Sequence, residues 1–272
     1  MVNRFEIINK KEMPNGQIKA AIFDFDGTFS TLRCGWETVM QPLMLEMISG
    51  SSAEKADSEL VKEVNDYIDS STGIQTIYQM QWLRKRVDIA GKGNPERDEW
   101  WYKAEYNRRL MLKIQGRINA LKSGKAKPED YLIKGCIEFI TQLKNKGVEL
   151  FLASGTDHKD VLNESNALGA DKYFSLIKGA PENMAACSKE AVIRMILEEK
   201  KIKGSELLVV GDGKVEIALG KAANGFALGA ATDENNLCGL NPVKYKRLVN
   251  AGADAVTGDF TPIDEIMQWL GF

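Results

Sequence analysis

The chain has 272 residues, 44% of them apolar and 27% charged, with a net charge of −2 at pH 7. That length buries a full core and suits one domain with an insertion, or two domains. The near-neutral balance excludes the strongly basic surface of a nucleic-acid binder, and no apolar run is long enough to span a bilayer.

Taken in order, Met1–Lys19 mixes Asn, Arg, Glu and Lys with isolated apolar residues, so no signal-peptide core is expected. Cys34, Cys136, Cys187 and Cys238 are far apart and form no paired spacing, which predicts reduced thiols in a cytoplasmic protein. Phe5-Glu6-Ile7-Ile8 is expected as an extra edge strand, turned by Pro14-Asn15-Gly16 into the next one. The apolar run Ala20 to Phe23 reads as a strand, and Asp24-Phe25-Asp26-Gly27-Thr28 follows it at once. Residues two apart on a strand share a face, so Asp24 and Asp26 project together unless the Gly turn rotates the second. Two carboxylates that close call for a proton or a cation between them. Magnesium suits the position, because it prefers carboxylate oxygens and completes its shell with water and phosphate.

Residues 31–127 then carry helical spacing only. The segments are Trp36 to Ile48, the set Leu60, Val64, Tyr67 and Ile68, the set Ile74, Ile77, Leu83 and Val87, and the set Tyr106, Leu110, Ile114, Ile118 and Leu121. Ser49-Gly50, Ser71-Thr72-Gly73, Gly91 to Pro95 and Ser123-Gly124 separate or end them. Four amphipathic helices with short connections predict a small bundle. The basic groups Arg84-Lys85-Arg86 and Arg108, Arg109, Lys113, Arg117 are either a solvated face or contacts for an anion. Trp100-Trp101-Tyr102 either packs the helices or stacks on a substrate. Ser71-Thr72-Gly73 with Gln75 suits a loop dipping toward the rest of the molecule.

From Pro128 the pattern alternates. Helices are predicted over Cys136–Lys146, from Asp157 as cap to about Leu168, over Lys189–Lys201, from Gly213 through Ala223, over Val243–Asn250 and from Ile263. Strands are predicted over Val148–Ala153, Tyr173–Ile177, Leu207–Val210, Gly225–Gly229 and Ala253–Val256. Such alternation means an α/β core with a doubly wound, Rossmann-like parallel sheet, here residues 1–30 and 128–272. An open parallel sheet binds its ligand at the carboxyl ends of its strands. Asp24 with Asp26, Ser154 with Thr156, and Asp212 all sit at such ends.

In these motifs the chain resembles the haloacid dehalogenase superfamily, in the phosphatase branch similar to phosphoglycolate phosphatases and β-phosphoglucomutases. Asp24 to Thr28 is similar to the first motif, Phe151-Leu152-Ala153-Ser154 to the second, Lys189 to the third and Gly211 to Glu216 to the fourth. The resemblance implies that residues 31–127 are an all-helical cap domain closing over the site. It implies that Asp24 attacks phosphorus and that Asp26 is the general acid and base. It implies magnesium held by Asp24, Asp26 and Asp212, with Glu216 binding directly or through water, since the family usually carries aspartate at that place. Gly27, Thr28, Ser154, Gly155, Thr156 and Lys189 are then expected to hold phosphate, with Thr156 an alternative to Ser154 and Lys178 an alternative to Lys189. The expected partner is a small phosphorylated metabolite, either a sugar phosphate or a phosphoglycolate-like acid, with no nucleic acid or membrane and a monomer or homodimer. A phosphomutase using the same aspartyl-phosphate is the alternative reading, and an inactive regulatory protein of the same fold is the third.

Overall fold

A computed structural model describes residues 5–9, 18–182, 184–186 and 188–272. The strands are β1 (Phe5–Ile7), β2 (Ala20–Phe23), β3 (Glu149–Asp157), β4 (Leu176–Ala180), β5 (Leu207–Gly211), β6 (Phe226–Ala230) and β7 (Ala255–Thr257). They form one sheet in the order β1-β7-β6-β5-β2-β3-β4. All neighbours are parallel except β1, which runs antiparallel to β7. Thus β2 lies inside the sheet between β5 and β3, with Ile22 opposite Phe151 on one side and Val209 on the other.

Every residue of β2, β5 and β6 is buried, as a sheet covered on both faces requires. The strand period of two sends Ala21, Phe23, Leu150, Leu152, Leu208 and Val210 to one layer. There they pack with α5 (Cys136–Asn145), α6 (His158–Ala167) and α10 (Ile263–Trp269). Ala20, Ile22, Phe151, Ala153, Leu207 and Val209 face the other layer, against α7 (Ser188–Glu198). On that same face α8 (Lys214–Ala222) and α9 (Pro242–Asn250) cover Ala227 and Val256. The switch from β2 outward in both directions places the strand ends of β2, β3 and β5 side by side.

Between β2 and α5 the chain builds α1 (Glu37–Ser49), α2 (Ser58–Ser70), α3 (Thr76–Ile89) and α4 (Glu99–Lys122). Their inward faces share a separate apolar cluster that includes Met40, Leu43, Val64, Leu83, Ile114 and Ile118. Truncating one such leucine to alanine costs about 2–5 kcal/mol. Asp57 and Asp98 start α2 and α4 by accepting from Leu60 N and Trp101 N, each at 2.8 Å. Gly50 stops α1 in the left-handed region, at φ 69°. Between α2 and α3 the loop does dip to the core: Gln75 pairs through its amide with the backbone of Ala186.

Three local expectations are corrected. The edge strand near Phe5 exists, but it pairs with β7, so β7, β6 and β5 separate it from β2. The turn expected at Pro14-Asn15-Gly16 lies outside the described residues, as does Cys187. The strand expected over Tyr173–Ile177 begins at Leu176; Phe174 instead packs edge-on against Phe23 and Phe29. Asp157 precedes α6 but makes no cap bond, because its carboxylate accepts from Lys103 and Asn107 of α4.

Candidate active site

The amide of Asp24 donates to Val210 O at 2.9 Å, so the backbone is still pinned to β5 where this carboxylate leaves the sheet. A tight turn follows, in which Phe29 N and Ser30 N both donate to Phe25 O. Gly27 is at φ 75°, and a Cβ there would lie 2.4 Å from Asp212 Oδ2. Only glycine fits both the conformation and the approach. The turn rotates the second carboxylate away from the first. Asp26 Oδ2 accepts from Ser154 Oγ at 3.2 Å and from Thr156 Oγ1 at 2.8 Å, both on β3. Its Oδ1 is buried with no hydrogen bond, the Arg33 guanidinium lying 3.9 Å away.

Asp24 turns instead toward α7, where Lys189 Nζ lies 2.9 Å from its Oδ1. The same ammonium bonds Glu216 Oε1 and donates to Gly73 O at 3.2 Å, on the loop between α2 and α3. Of the two lysines considered, Lys189 is therefore the one brought to Asp24, and Lys178 is exposed on β4. Burial pushes the Asp24 carboxyl well above the usual carboxylate range; Lys189 pulls it down, while Glu216, Asp212 and Asp26 add to the rise. Burial also opposes the charge on Lys189, but Asp24 and Glu216 outweigh it and hold the ammonium firmly protonated.

Asp212 follows β5 and meets a group that the motifs did not indicate. Lys244 of α9 reaches in to bond Asp212 Oδ2 at 2.7 Å and Glu234 Oε1 at 2.6 Å. The signal was present in part: Lys244 lies four residues before the buried Leu248, on the inward face of its helix. Arg33 was also missed. It is buried beside the site and grips Glu164 through three bonds, the shortest 2.6 Å, and Asp160 at 3.3 Å. Burial raises Glu164 to about 7 against the pull of Arg33.

These groups surround a cavity of about 90 Å³. Asp24, Asp26, Gly27, Ser154, Gly155, Thr156, Lys189 and Asp212 all line it. Two expected site residues do not. Thr28 is wholly buried, since the turn carries it inward, and its hydroxyl has no hydrogen bond. Glu216 lies beneath Lys189, its Oε1 committed to that ammonium and its Oε2 without a partner. Among the described residues no three His, Cys, Asp or Glu side chains converge to hold a metal by themselves. The basic groups that the sequence offered on the helices of the insert point elsewhere. Arg84, Arg86 and Arg109 pair with Glu99, Glu63 and Glu46, Arg108 with Glu105, and Arg117 with the carbonyls of Leu32 and Cys34. Tyr102 is core, while Trp100 and Trp101 lie under Lys103 and Arg97. The residues that do close the cavity from the insert include Trp36, Tyr106 and Leu110.

A model of the haloacid dehalogenase-like hydrolases matches residues 18–224. The chain belongs to that family. No curated protein matches the sequence of this hydrolase. Solved structures share its fold at low identity. A predicted phosphoglycolate phosphatase from Haemophilus somnus 129pt is 18% identical with a TM-score of 0.62, the match covering 93% of this chain and 99% of that one. A β-phosphoglucomutase from Clostridium difficile is 17% identical with a TM-score of 0.64, covering 93% and 97%. A predicted phosphatase from Clostridium acetobutylicum is 16% identical with a TM-score of 0.56, covering 92% and 99%. At these identities the likeness is one of fold.

Proposed function

We propose that this hydrolase is a magnesium-dependent phosphatase of small phosphorylated metabolites, working through an aspartyl-phosphate on Asp24. The observation that carries the reading is the division of labour between two neighbouring aspartates. Asp24 faces a fixed ammonium at 2.9 Å, whereas Asp26 is anchored through one oxygen only and keeps the other without a hydrogen bond. Asp24 attacks phosphorus as the bond to the leaving oxygen breaks, and Asp26 gives that oxygen its proton. In the second half Asp26 takes a proton from water, the hydroxide attacks phosphorus, and the Asp24 carboxylate is released. Ser154 and Thr156 keep Asp26 aimed through Oδ2, which leaves Oδ1 to move the proton. Lys189 offsets charge beside Asp24, and Glu216 holds Lys189 in place.

The donor set fits a divalent cation. Asp24, Asp26, Asp212, Glu216 and Glu234 crowd together against Lys189, Lys244 and Arg33, an excess of negative charge that includes a buried Asp26 oxygen with no hydrogen bond. Asp24 and Asp212 are the side chains that would hold magnesium. When bound, it would neutralise the approaching dianion and polarise its oxygens. Residues 31–127 act in this reading as a cap on a core of residues 1–30 and 128–272. Gln75 and Gly73 tie the cap loop to the core, and the cavity walls come from both parts.

The test is release of inorganic phosphate from an aryl phosphate with added magnesium. Activity is expected to vanish in Asp24→Asn and in excess chelator. Activity surviving either change refutes the mechanism.

A further inference from the structure

Resting on that reading, we infer that Arg33 is a positioning residue for Asp26: held by Glu164 and Asp160, its guanidinium fixes which oxygen of the general acid faces the leaving group. Asp26 is bonded on one side only. Oδ2 accepts from Ser154 and Thr156, while Oδ1 is buried with no hydrogen bond and has Arg33 Nε 3.9 Å away. A carboxylate can exchange its two oxygens by rotation about its last bond, a torsion with broad wells. Two hydroxyls on one edge and a cation on the other remove that freedom. At 3.9 Å the guanidinium attracts Oδ1 without bonding it, so that oxygen stays free to carry the proton. What sets this distance lies on α6. Arg33 Nε and Nη2 give three bonds to Glu164, from 2.6 to 3.1 Å, and Nη2 reaches Asp160 at 3.3 Å. Two carboxylates thus hold the guanidinium back from a third.

Anchoring of the chain does not account for the arrangement. Arg33 sits on the connection from β2 to α1, and the backbone on both sides of it is pinned by other groups. Arg117 of α4 donates to Leu32 O at 2.7 Å and to Cys34 O at 3.1 Å. Thr31 donates to Tyr131 O through its amide at 2.8 Å and its hydroxyl at 3.1 Å. A buried ion pair is moreover a poor fastener, since well-packed apolar residues in its place are often neutral or stabilising. Here the Arg33 side chain is 8% exposed and that of Glu164 1%, and both Arg33 and Asp26 line the cavity. A charge buried beside the proton-transferring oxygen acts on that oxygen.

The test measures kcat/KM, with magnesium, for 4-nitrophenyl phosphate and phenyl phosphate. The two esters are close in shape, but the more basic phenyl oxygen depends more on a proton from Asp26 as it leaves. A variant that misaims Asp26 therefore loses most on phenyl phosphate, whereas a merely loosened linker lowers both esters alike. Arg33→Met is expected to fall roughly 100-fold on phenyl phosphate and about tenfold on 4-nitrophenyl phosphate. Arg33→Lys, which keeps the charge without the fork, is expected between wild type and Arg33→Met. Because Arg33→Met strands Glu164, a double variant, Arg33→Met with Glu164→Met, removes both buried charges. It is expected to show the same roughly tenfold gap between the esters. Equal losses on both esters, or no loss, in the variants that fold overturn the inference and leave the phosphatase reading standing. No phosphate release from either ester by the wild type, or Asp26→Asn as active as the wild type on phenyl phosphate, overturns the phosphatase reading and the inference with it.

Discussion

Replacing Lys189 with methionine removes one ammonium and leaves two buried carboxylates facing each other. Asp24 and Glu216 have side chains 5% and 2% exposed, so water replaces little of what the lysine supplied. Breaking a buried pair by deleting one partner typically costs 3–5 kcal/mol, so a loss of about that size is expected near pH 8. For a chain of this size class it corresponds to a melting temperature lower by roughly 6–20 °C. The deficit must depend on pH, with a definite sign. The folded-state pKa of Asp24 is raised above its unfolded value, so its protonated form favours folding. Stability tied to that proton is fully present below the unfolded value, and it is lost as pH rises through the folded one. Without Lys189 the folded pKa climbs further, which extends the window of loss upward. Thermal or urea unfolding in chelator at pH 5 and pH 8 measures this, and the variant should lie nearer wild type at pH 5. Phosphate release at pH 7 should fall by about 10²–10³, the range for removing one positioned electrostatic group. A variant within about 1 kcal/mol of wild type at both pH values, little more than an ordinary surface change costs, would refute the claim that this lysine neutralises the pair.

Two further substitutions probe the turn and its partner strand. Thr156→Val removes the shorter of the two bonds that anchor Asp26 while keeping side-chain shape. A hydrogen bond to a charged group is worth about 1.5–3 kcal/mol, so kcat should drop roughly 10- to 100-fold, with KM changing far less. Steady-state kinetics decides it, and an unchanged kcat means that Ser154 alone orients Asp26. Gly27→Ala meets two obstacles, the positive φ and the Asp212 oxygen 2.4 Å from the new Cβ. The left-handed conformation alone costs about 1–2 kcal/mol. Displacing Asp212 should also weaken magnesium binding, which calorimetric titration of the folded variant reports; wild-type affinity would show that Asp212 is not a ligand.

The parts of the molecule legible in the sequence are those governed by short-range rules. Ala20 to Phe23 could only be a buried strand, and a parallel sheet necessarily gathers Asp24, Ser154 and Asp212 at one edge. Where a long-range contact overrides a local preference, the reading slips. Asp157 has cap chemistry, but a buried ammonium from α4 outbids the helix for its carboxylate. Phe174 has strand propensity, yet the aromatic pocket made by Phe23 and Phe29 draws it out of β4. Thr28 belongs to the most recognisable motif and still points inward, because the turn that frees Asp26 must bury its successor.

The same distinction separates chemistry from specificity in the site. Asp24 and Asp26 acquire distinct environments from one turn and one neighbouring strand, both local consequences of five consecutive residues and a register. The opposing wall has no such origin. Tyr106 and Leu110 sit on the apolar stripe of α4, where helical spacing reads them simply as core, and they do pack in the core of the insert. Only the placement of α4 over the strand ends makes one edge of that stripe a cavity wall. Charge follows the same logic. The basic residues of the insert look available in sequence, but several are captured by glutamates that helix packing brings in, as Glu63 from α2 captures Arg86 from α3. Those captures hold Arg84, Arg86, Arg108 and Arg109 away from the cavity, so pairing elsewhere in the insert decides which of its charges reach the site.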